Sequence, residues 1–130
     1  MSDRTHWKGE PEQHDYPAAG DFLSLLLDPS VASLVVAGLQ AAPVEHRKAK
    51  DLLRAAALAL LGPENHHVAR DLDKVHHGVE LSPVLLVRGD LRAGRPLVVA
   101  DGYHRICASY HLDENTDIPC KVADLPGTGT

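Results

Sequence analysis

Two short apolar runs in the second half of the chain place the strongest limits on its fold. Residues 83–87 read Pro-Val-Leu-Leu-Val, and residues 96–100 read Pro-Leu-Val-Val-Ala. A continuous apolar run between turn residues indicates a buried strand. The intervening segment contains Gly89, Asp90 and Gly94, a composition typical of a turn. The two runs are therefore predicted to pair as a hairpin.

A helix and a third strand are predicted after the hairpin. Asp101 and Gly102 end the second strand, and residues 103–111 place Ile106, Cys107 and Tyr110 on one helical face. A polar loop at residues 113–117 precedes a last strand at residues 118–122. Pro119 favours an edge position or the start of a strand.

The first half of the chain is predicted to be helical. Apolar residues at 22–27 end at Asp28 and Pro29, and residues 31–39 then follow a helical repeat. Residues 44–61 are rich in Ala and Leu, and Asn65 is a plausible N-cap for a fourth helix that ends near Gly78. The expected order is four helices, two strands, a helix and a strand, which is an α+β fold with an N-terminal helical group.

The 130 residues fit one domain. We expect an irregular arm at residues 1–20, held by Trp7 and Tyr16, a helical extension at 21–64, a core at 65–125 and a tail at 126–130. The net charge of −5 makes nucleic acid an unfavourable partner. From the polar N-terminus and the lack of a long apolar run we expect no secretory signal and no membrane span, and two cysteines suit a reduced, cytoplasmic protein.

The nine histidines raise the question of a metal site. The pairs His66-His67 and His76-His77 flank the fourth predicted helix. Adjacent helical residues point about 100° apart, so neither pair chelates one ion by itself. The sequence carries no zinc motif, and no dedicated metal site is predicted.

The most informative segment is residues 98–108, Val-Val-Ala-Asp-Gly-Tyr-His-Arg-Ile-Cys-Ala. A buried strand ends, a glycine allows close backbone approach, and a helix begins with its unpaired N–H groups and positive dipole end. His104 and Arg105 add donors there, and an arginine holds phosphate bidentately. This pattern predicts an anion site, with a solvated basic helix start as the structural alternative.

This segment, together with residues 78–87 and 118–122, resembles the N-terminal domain of ParB and the related sulfiredoxin. The resemblance covers about residues 65–125 and implies a small mixed sheet with a crossover helix. Members of that superfamily bind nucleotide phosphates at a Gly-x-His-Arg turn, so the resemblance implies a nucleoside di- or triphosphate, with or without Mg²⁺. The sulfiredoxin reaction is excluded, since Tyr103 stands where its reactive cysteine would be.

The resemblance also implies roles for individual residues. Asp101 and His104 are the candidate catalytic residues, and Asp101 is also expected to orient Arg105 or a metal. The helix before the first strand supplies side chains to the nucleotide in that superfamily, and here it offers Asp71 and Lys74. An exposed helical ion pair is the alternative for these two residues. The full set of candidate nucleotide-binding residues is Asp71, Lys74, Gly102, Tyr103, His104, Arg105 and Ile106.

Two functions follow as expectations. The first is a ParB-like nucleotide- or phosphate-binding domain, acting as a small phosphotransferase or nucleotide hydrolase. The second is a non-enzymatic adaptor in which the N-terminal helices bind a protein partner, since fold does not fix function. A chromosome-segregation clamp is not expected, because the chain is acidic and ends at Thr130. The basic run at residues 46–50 is predicted to be a solvated helical face.

Overall fold

The computed structural model describes residues 4–127. It contains an α+β fold in which helices precede a mixed sheet. The elements are α1 (Asp15–Leu23), α2 (Pro29–Ala41), β1 (Glu45–Lys48), α3 (Ala49–Ala56), α4 (His66–His76), β2 (Val84–Val87), β3 (Val98–Asp101), α5 (Tyr103–Leu112) and β4 (Asp117–Ala123).

The four strands are ordered β1-β4-β2-β3 across the sheet. β2 and β3 form the predicted antiparallel hairpin. β4 runs parallel to β2 on its other side, and β1 pairs antiparallel with β4 at the edge. The chain therefore crosses from one edge, β3, through α5 to the interior strand β4.

Strand β2 is buried on both faces, as its apolar run predicts. Val84 and Leu86 belong to one core, which α3, α4 and α5 complete, whereas Leu85 and Val87 belong to a second core with α1 and α2. Successive side chains of a strand point to opposite faces, so four consecutive apolar residues are needed to serve two cores. The sheet is accordingly covered by helices on both sides.

The structure corrects the predictions made for the N-terminal arm and the helical extension. Helix α1 begins at Asp15, inside the segment expected to be irregular. Tyr16 and Ala19 are buried on its inner face. The basic run at residues 46–50 is helical only at its end: Glu45–Lys48 forms β1, and α3 begins at Ala49. Pairing with β4 outweighs the local composition, and charged side chains are common on such an edge strand.

The third helix is also shorter than its Ala- and Leu-rich sequence predicts. It ends at Ala56, and Ala57 adopts a left-handed conformation with φ 54°. The segment that follows α3 contacts the body of the protein through its backbone carbonyl groups. The Ala59 carbonyl accepts a hydrogen bond from Tyr103, and the Leu61 carbonyl contacts the His111 ring. These tertiary contacts replace further helical turns.

Other local predictions are confirmed. The Asn65 side chain caps α4 by accepting from the N–H groups of His67 (2.9 Å) and Val68 (3.2 Å). Gly78 follows that helix with φ +70°. Pro119 lies near the start of β4, although β4 is an interior strand and not an edge. The expected tail at residues 126–130 lies outside the described residues from 128 onward.

The segment before α1 is held against the body of the protein. The backbone of Lys8 donates to Leu81 (2.8 Å), and Leu81 donates to His6 (2.7 Å). Lys121, which is only 3% exposed, reaches from β4 to Glu10 (3.3 Å) and to the Gln40 carbonyl at the end of α2 (3.1 Å). These contacts place residues 12–15 beside the turn that links β3 to α5.

Candidate functional site

A cleft of about 330 Å³ opens at the β3–α5 turn. Four parts of the chain form it: the N-terminal segment, α4, the residues before β2, and the turn itself. Most of its lining side chains are polar or charged. The lining residues are Glu12, His14, Asp15, Asp71, Lys74, Glu80, Leu81, Ser82, Asp101, Gly102, His104 and Arg105.

Gly102 forms the bend between β3 and α5. Its φ of +113° is one that other residues rarely adopt. A Cβ atom at this position would also lie 2.8 Å from Cβ of Val84 and 2.9 Å from Nη2 of Arg105. The glycine is therefore required by backbone conformation and by close packing on β2, in addition to any approach of a ligand.

Arg105 is fixed by a carboxylate from the preceding strand. Its Nη2 donates to Oδ2 of Asp101 at 2.8 Å, and both side chains are largely buried. Its Nε is buried and has no hydrogen-bond partner among the described residues. A buried donor without a partner costs free energy unless a ligand or water satisfies it. The guanidinium is thus held at the cleft with hydrogen-bonding capacity left over.

The N-terminal end of α5 borders the cleft, which Gly102, His104 and Arg105 line. The helix starts at Tyr103, and the amide of Ile106 already donates to the Gly102 carbonyl at 3.0 Å. The amides with no helical acceptor are therefore those of Tyr103, His104 and Arg105. Ile106 was expected to contribute its backbone, and the structure corrects this: its amide is used within the helix and its side chain is fully buried.

Tyr103 is placed away from the cleft, contrary to the expectation from its sequence position. Its hydroxyl donates to the Ala59 carbonyl at 2.6 Å, so it holds the segment that follows α3. Its ring stacks on His104 with centroids 5.6 Å apart. Burial, and then the nearby Cys107, raise the pKa of Tyr103, so the phenol stays protonated at neutral pH. Tyr103 supports His104 but does not line the site.

His104 lines the cleft and lies against a histidine of α4. The rings of His67 and His104 are 4.6 Å apart and tilted by 36°. Burial lowers the pKa of His104, and the charges of His67 and Arg105 lower it further, against an opposing effect of Asp71. The imidazole is therefore neutral at pH 7, and a bound anion would favour its protonation.

Asp71 and Lys74 both reach the cleft from α4. Oδ1 of Asp71 lies 3.9 Å from Nζ of Lys74, a loose pair. Asp71 is only 8% exposed. Burial raises its pKa, although Lys74, Arg105 and His104 oppose the shift. The structure thus brings Asp71, Lys74, Asp101, Gly102, His104 and Arg105 together at one cleft.

The sequence pattern did not identify several other residues that line the cleft. Glu12, His14 and Asp15 come from the segment expected to be irregular, and Glu80 and Ser82 precede β2. Ser82 donates to Asp15, which also accepts from the Glu12 amide (3.1 Å). The contact between Ser82 and Asp15 spans 67 positions, so no local sequence pattern predicts it.

Other candidate groups lie elsewhere. Lys50 and Arg54 of α3 line a separate depression beside Tyr110. Cys107 and Cys120 are buried thiols whose pKa values are raised by burial, that of Cys120 to about 12. Within residues 4–127 no three His, Cys, Asp or Glu side chains are arranged to hold a metal ion.

No family model, curated protein or solved structure matches this chain. The resemblance to ParB and sulfiredoxin therefore stays a prediction carried by the motif residues. Among the described residues, none of the helices has the length and hydropathy to span a membrane.

Proposed function

We propose that the cleft binds the phosphate groups of a nucleoside di- or triphosphate, in a domain of the ParB/sulfiredoxin-like type. One observation carries the proposal: Lys74 of α4 and His104 and Arg105 of α5 line a single cleft at the start of α5. A helix N-terminus with converging cationic side chains suits a phosphate. The volume of about 330 Å³ falls within the range of ligand pockets.

Each cationic group has a distinct part in this proposal. Arg105, oriented by Asp101, offers its guanidinium as a rigid fork to two phosphate oxygens. Lys74 supplies a flexible positive charge from α4, and the amides of residues 103–105 donate from the backbone. His104 becomes a charged donor when an anion raises its pKa. Asp101 acts as a positioning residue for Arg105.

The carboxylates of the cleft are compatible with Mg²⁺ carried by the nucleotide. A phosphate-bound Mg²⁺ needs only one or two protein carboxylates, and Asp101 lines the cleft as such an oxygen donor. The ion would neutralise phosphate charge and so favour phosphoryl transfer. The proposed activity is a small phosphotransferase or nucleotide hydrolase.

Calorimetric titration tests the proposal. Wild-type protein is titrated with ATP, ADP, CTP, GTP and inorganic phosphate, with Mg²⁺ present. Arg105→Ala and His104→Ala are compared with Arg88→Ala, an exposed arginine paired with Asp124 outside the cleft. At least one nucleotide is expected to bind, with a loss of about tenfold or more in Arg105→Ala and none in Arg88→Ala. Absence of binding at millimolar nucleotide, or equal binding by all variants, contradicts the proposal.

An adaptor function is the second candidate, and exposed apolar side chains favour it. Phe22 of α1, Leu25 and Leu26 after it, and Leu34 of α2 are between 42% and 82% exposed. Surfaces of this kind often mark a protein partner. An adaptor would bind no nucleotide in the titration above, and Leu25→Glu would abolish binding of its partner.

A further inference from the structure

We propose that Asp71 accepts the proton from the hydroxyl group of a second substrate, and that this acceptor is a neutral or positively charged alcohol. The inference rests on the proposed function and names the base and the acceptor class for the same cleft. Of the two carboxylates considered from the sequence as a base, Asp101 and Asp71, it assigns this part to Asp71.

The two carboxylates differ in their partners. Asp101 is engaged by Arg105 at 2.8 Å, so protonating it would break the contact that positions the guanidinium. Asp71 is more deeply buried, and among residues 4–127 its ion pair is the loose contact with Lys74 at 3.9 Å. A buried carboxylate in a cleft with its acceptor capacity largely unused is suited to receive a proton. Burial also raises the pKa of Asp71, which strengthens it as a base.

The acidic residues that line the cleft limit the charge that the acceptor can carry. Glu12, Asp15 and Glu80 line the cleft with Asp71, while the cationic groups Lys74 and Arg105 are taken up by phosphate in the proposed complex. Lys8 and His14 already pair with Glu12, and His14 also lies 3.4 Å from Asp15. An acceptor that carried a carboxylate or phosphate would therefore meet these acids with every lining cation already paired or engaged by the bound phosphate. A neutral alcohol, or one with an ammonium group, avoids that repulsion.

The proposed step balances as follows. The acceptor hydroxyl gives its proton to an Oδ atom of Asp71 while its oxygen forms a bond to the terminal phosphorus. The bond from that phosphorus to the bridging oxygen breaks, and its electron pair leaves with the nucleotide that has lost its terminal phosphoryl group, a diphosphate from a triphosphate or a monophosphate from a diphosphate. Lys74 and Arg105 stabilise the leaving charge. Water in place of the alcohol gives hydrolysis by the same step.

The test compares Asp71→Asn with Asp73→Asn. Asp73 lies on the same helix, but it is exposed and contacts His77 outside the cleft. Transfer from the nucleotide that binds best is measured with water alone, with glycerol, with ethanolamine and with glycolate. Asp71→Asn is expected to keep its nucleotide affinity within about threefold and to lose about 100-fold or more in rate, whereas Asp73→Asn behaves as wild type. Glycerol or ethanolamine should be phosphorylated faster than glycolate.

A pH profile gives a second readout. The wild-type rate is expected to fall as the pH drops through the raised pKa of Asp71, and Asp71→Asn should lack that dependence. A wild-type profile without this acidic limb overturns the inference, as does full activity of Asp71→Asn or a preference for glycolate. Nucleotide binding without transfer to any acceptor also overturns it and leaves the binding proposal standing. Failure of nucleotide binding overturns the proposed function itself.

Discussion

Oδ2 of Asp101 lies 2.8 Å from Nη2 of Arg105, one helical turn away across the Gly102 bend. The contact joins the last residue of β3 to the first turn of α5. It leaves the Nε atom of Arg105 buried without a protein partner among residues 4–127. The strand thus orients a guanidinium that lines the cleft.

This relationship predicts that a lysine in place of Arg105 lowers the affinity for the nucleotide. Arg105→Lys keeps the charge but loses the fork that reaches both Asp101 and two phosphate oxygens. We expect it to weaken nucleotide binding by about tenfold, with a smaller loss in Asp101→Asn. Titration calorimetry measures both losses. Wild-type affinity in Arg105→Lys would show that only charge matters.

Gly102→Ala should be far more damaging than the same change at another glycine of positive φ. The new methyl group meets Val84 in a conformation that alanine resists, at a combined cost of about 2–5 kcal/mol. Gly94, with φ +73° and open space around it, is the matched control, with an expected loss of about 1 kcal/mol. Urea unfolding compares the two. Similar losses would contradict the packing role of Gly102.

His67→Asn should raise the pKa of His104. Burial is the largest cause of the lowered pKa and will persist, but the charge of His67 is the next cause and is removed. NMR titration of the His104 ring measures the shift. His77→Asn, at the other end of α4, serves as the control and should leave the His104 titration unchanged. A titration midpoint that does not move would contradict the contact seen between the two rings.

The raised pKa of Lys121 predicts that the folded protein loses stability at high pH. Burial lowers its pKa, but its contacts with Tyr16 and Glu10 outweigh burial and leave the pKa above 10.5. Because the raised pKa belongs to the folded state, the stabilisation is fully present below pH 10.5 and is lost as the pH rises through the folded pKa.

Lys121→Met is therefore expected to reduce the free energy of unfolding by about 1 kcal/mol at neutral pH. The difference from wild type should shrink above pH 10.5. Chemical unfolding across pH 7–11 measures it, with the exposed Lys48→Met as a control. A difference that stays constant at high pH would contradict the assigned contacts.

The second half of the chain follows its sequence closely. Buried apolar runs, a glycine bend and an Asn cap are local signals, and the structure places β2, β3, α5 and the start of α4 where those signals predict. Because His104 and Arg105 are adjacent in sequence, the same local signals place both of them at one turn. Their meeting with Lys74 depends on α4 packing against α5.

The first half could not be predicted as well, because long-range contacts shape it. The polar sequence Glu45–Lys48 becomes a strand only through pairing with β4. Residues 12–15 reach the cleft because Ser82 holds Asp15 and Lys121 holds Glu10. Each of these contacts joins residues far apart in sequence, and composition alone does not reveal them.

The central claim is that a nucleotide phosphate binds at the start of α5, and a crystal structure of the protein with Mg²⁺ and its best-binding nucleotide tests it most directly. The account predicts a phosphate group within hydrogen-bond distance of the Arg105 guanidinium and the amides of residues 103–105, with Lys74 on its other side. A cleft without phosphate density at saturating nucleotide, or a nucleotide bound elsewhere on the protein, would contradict it.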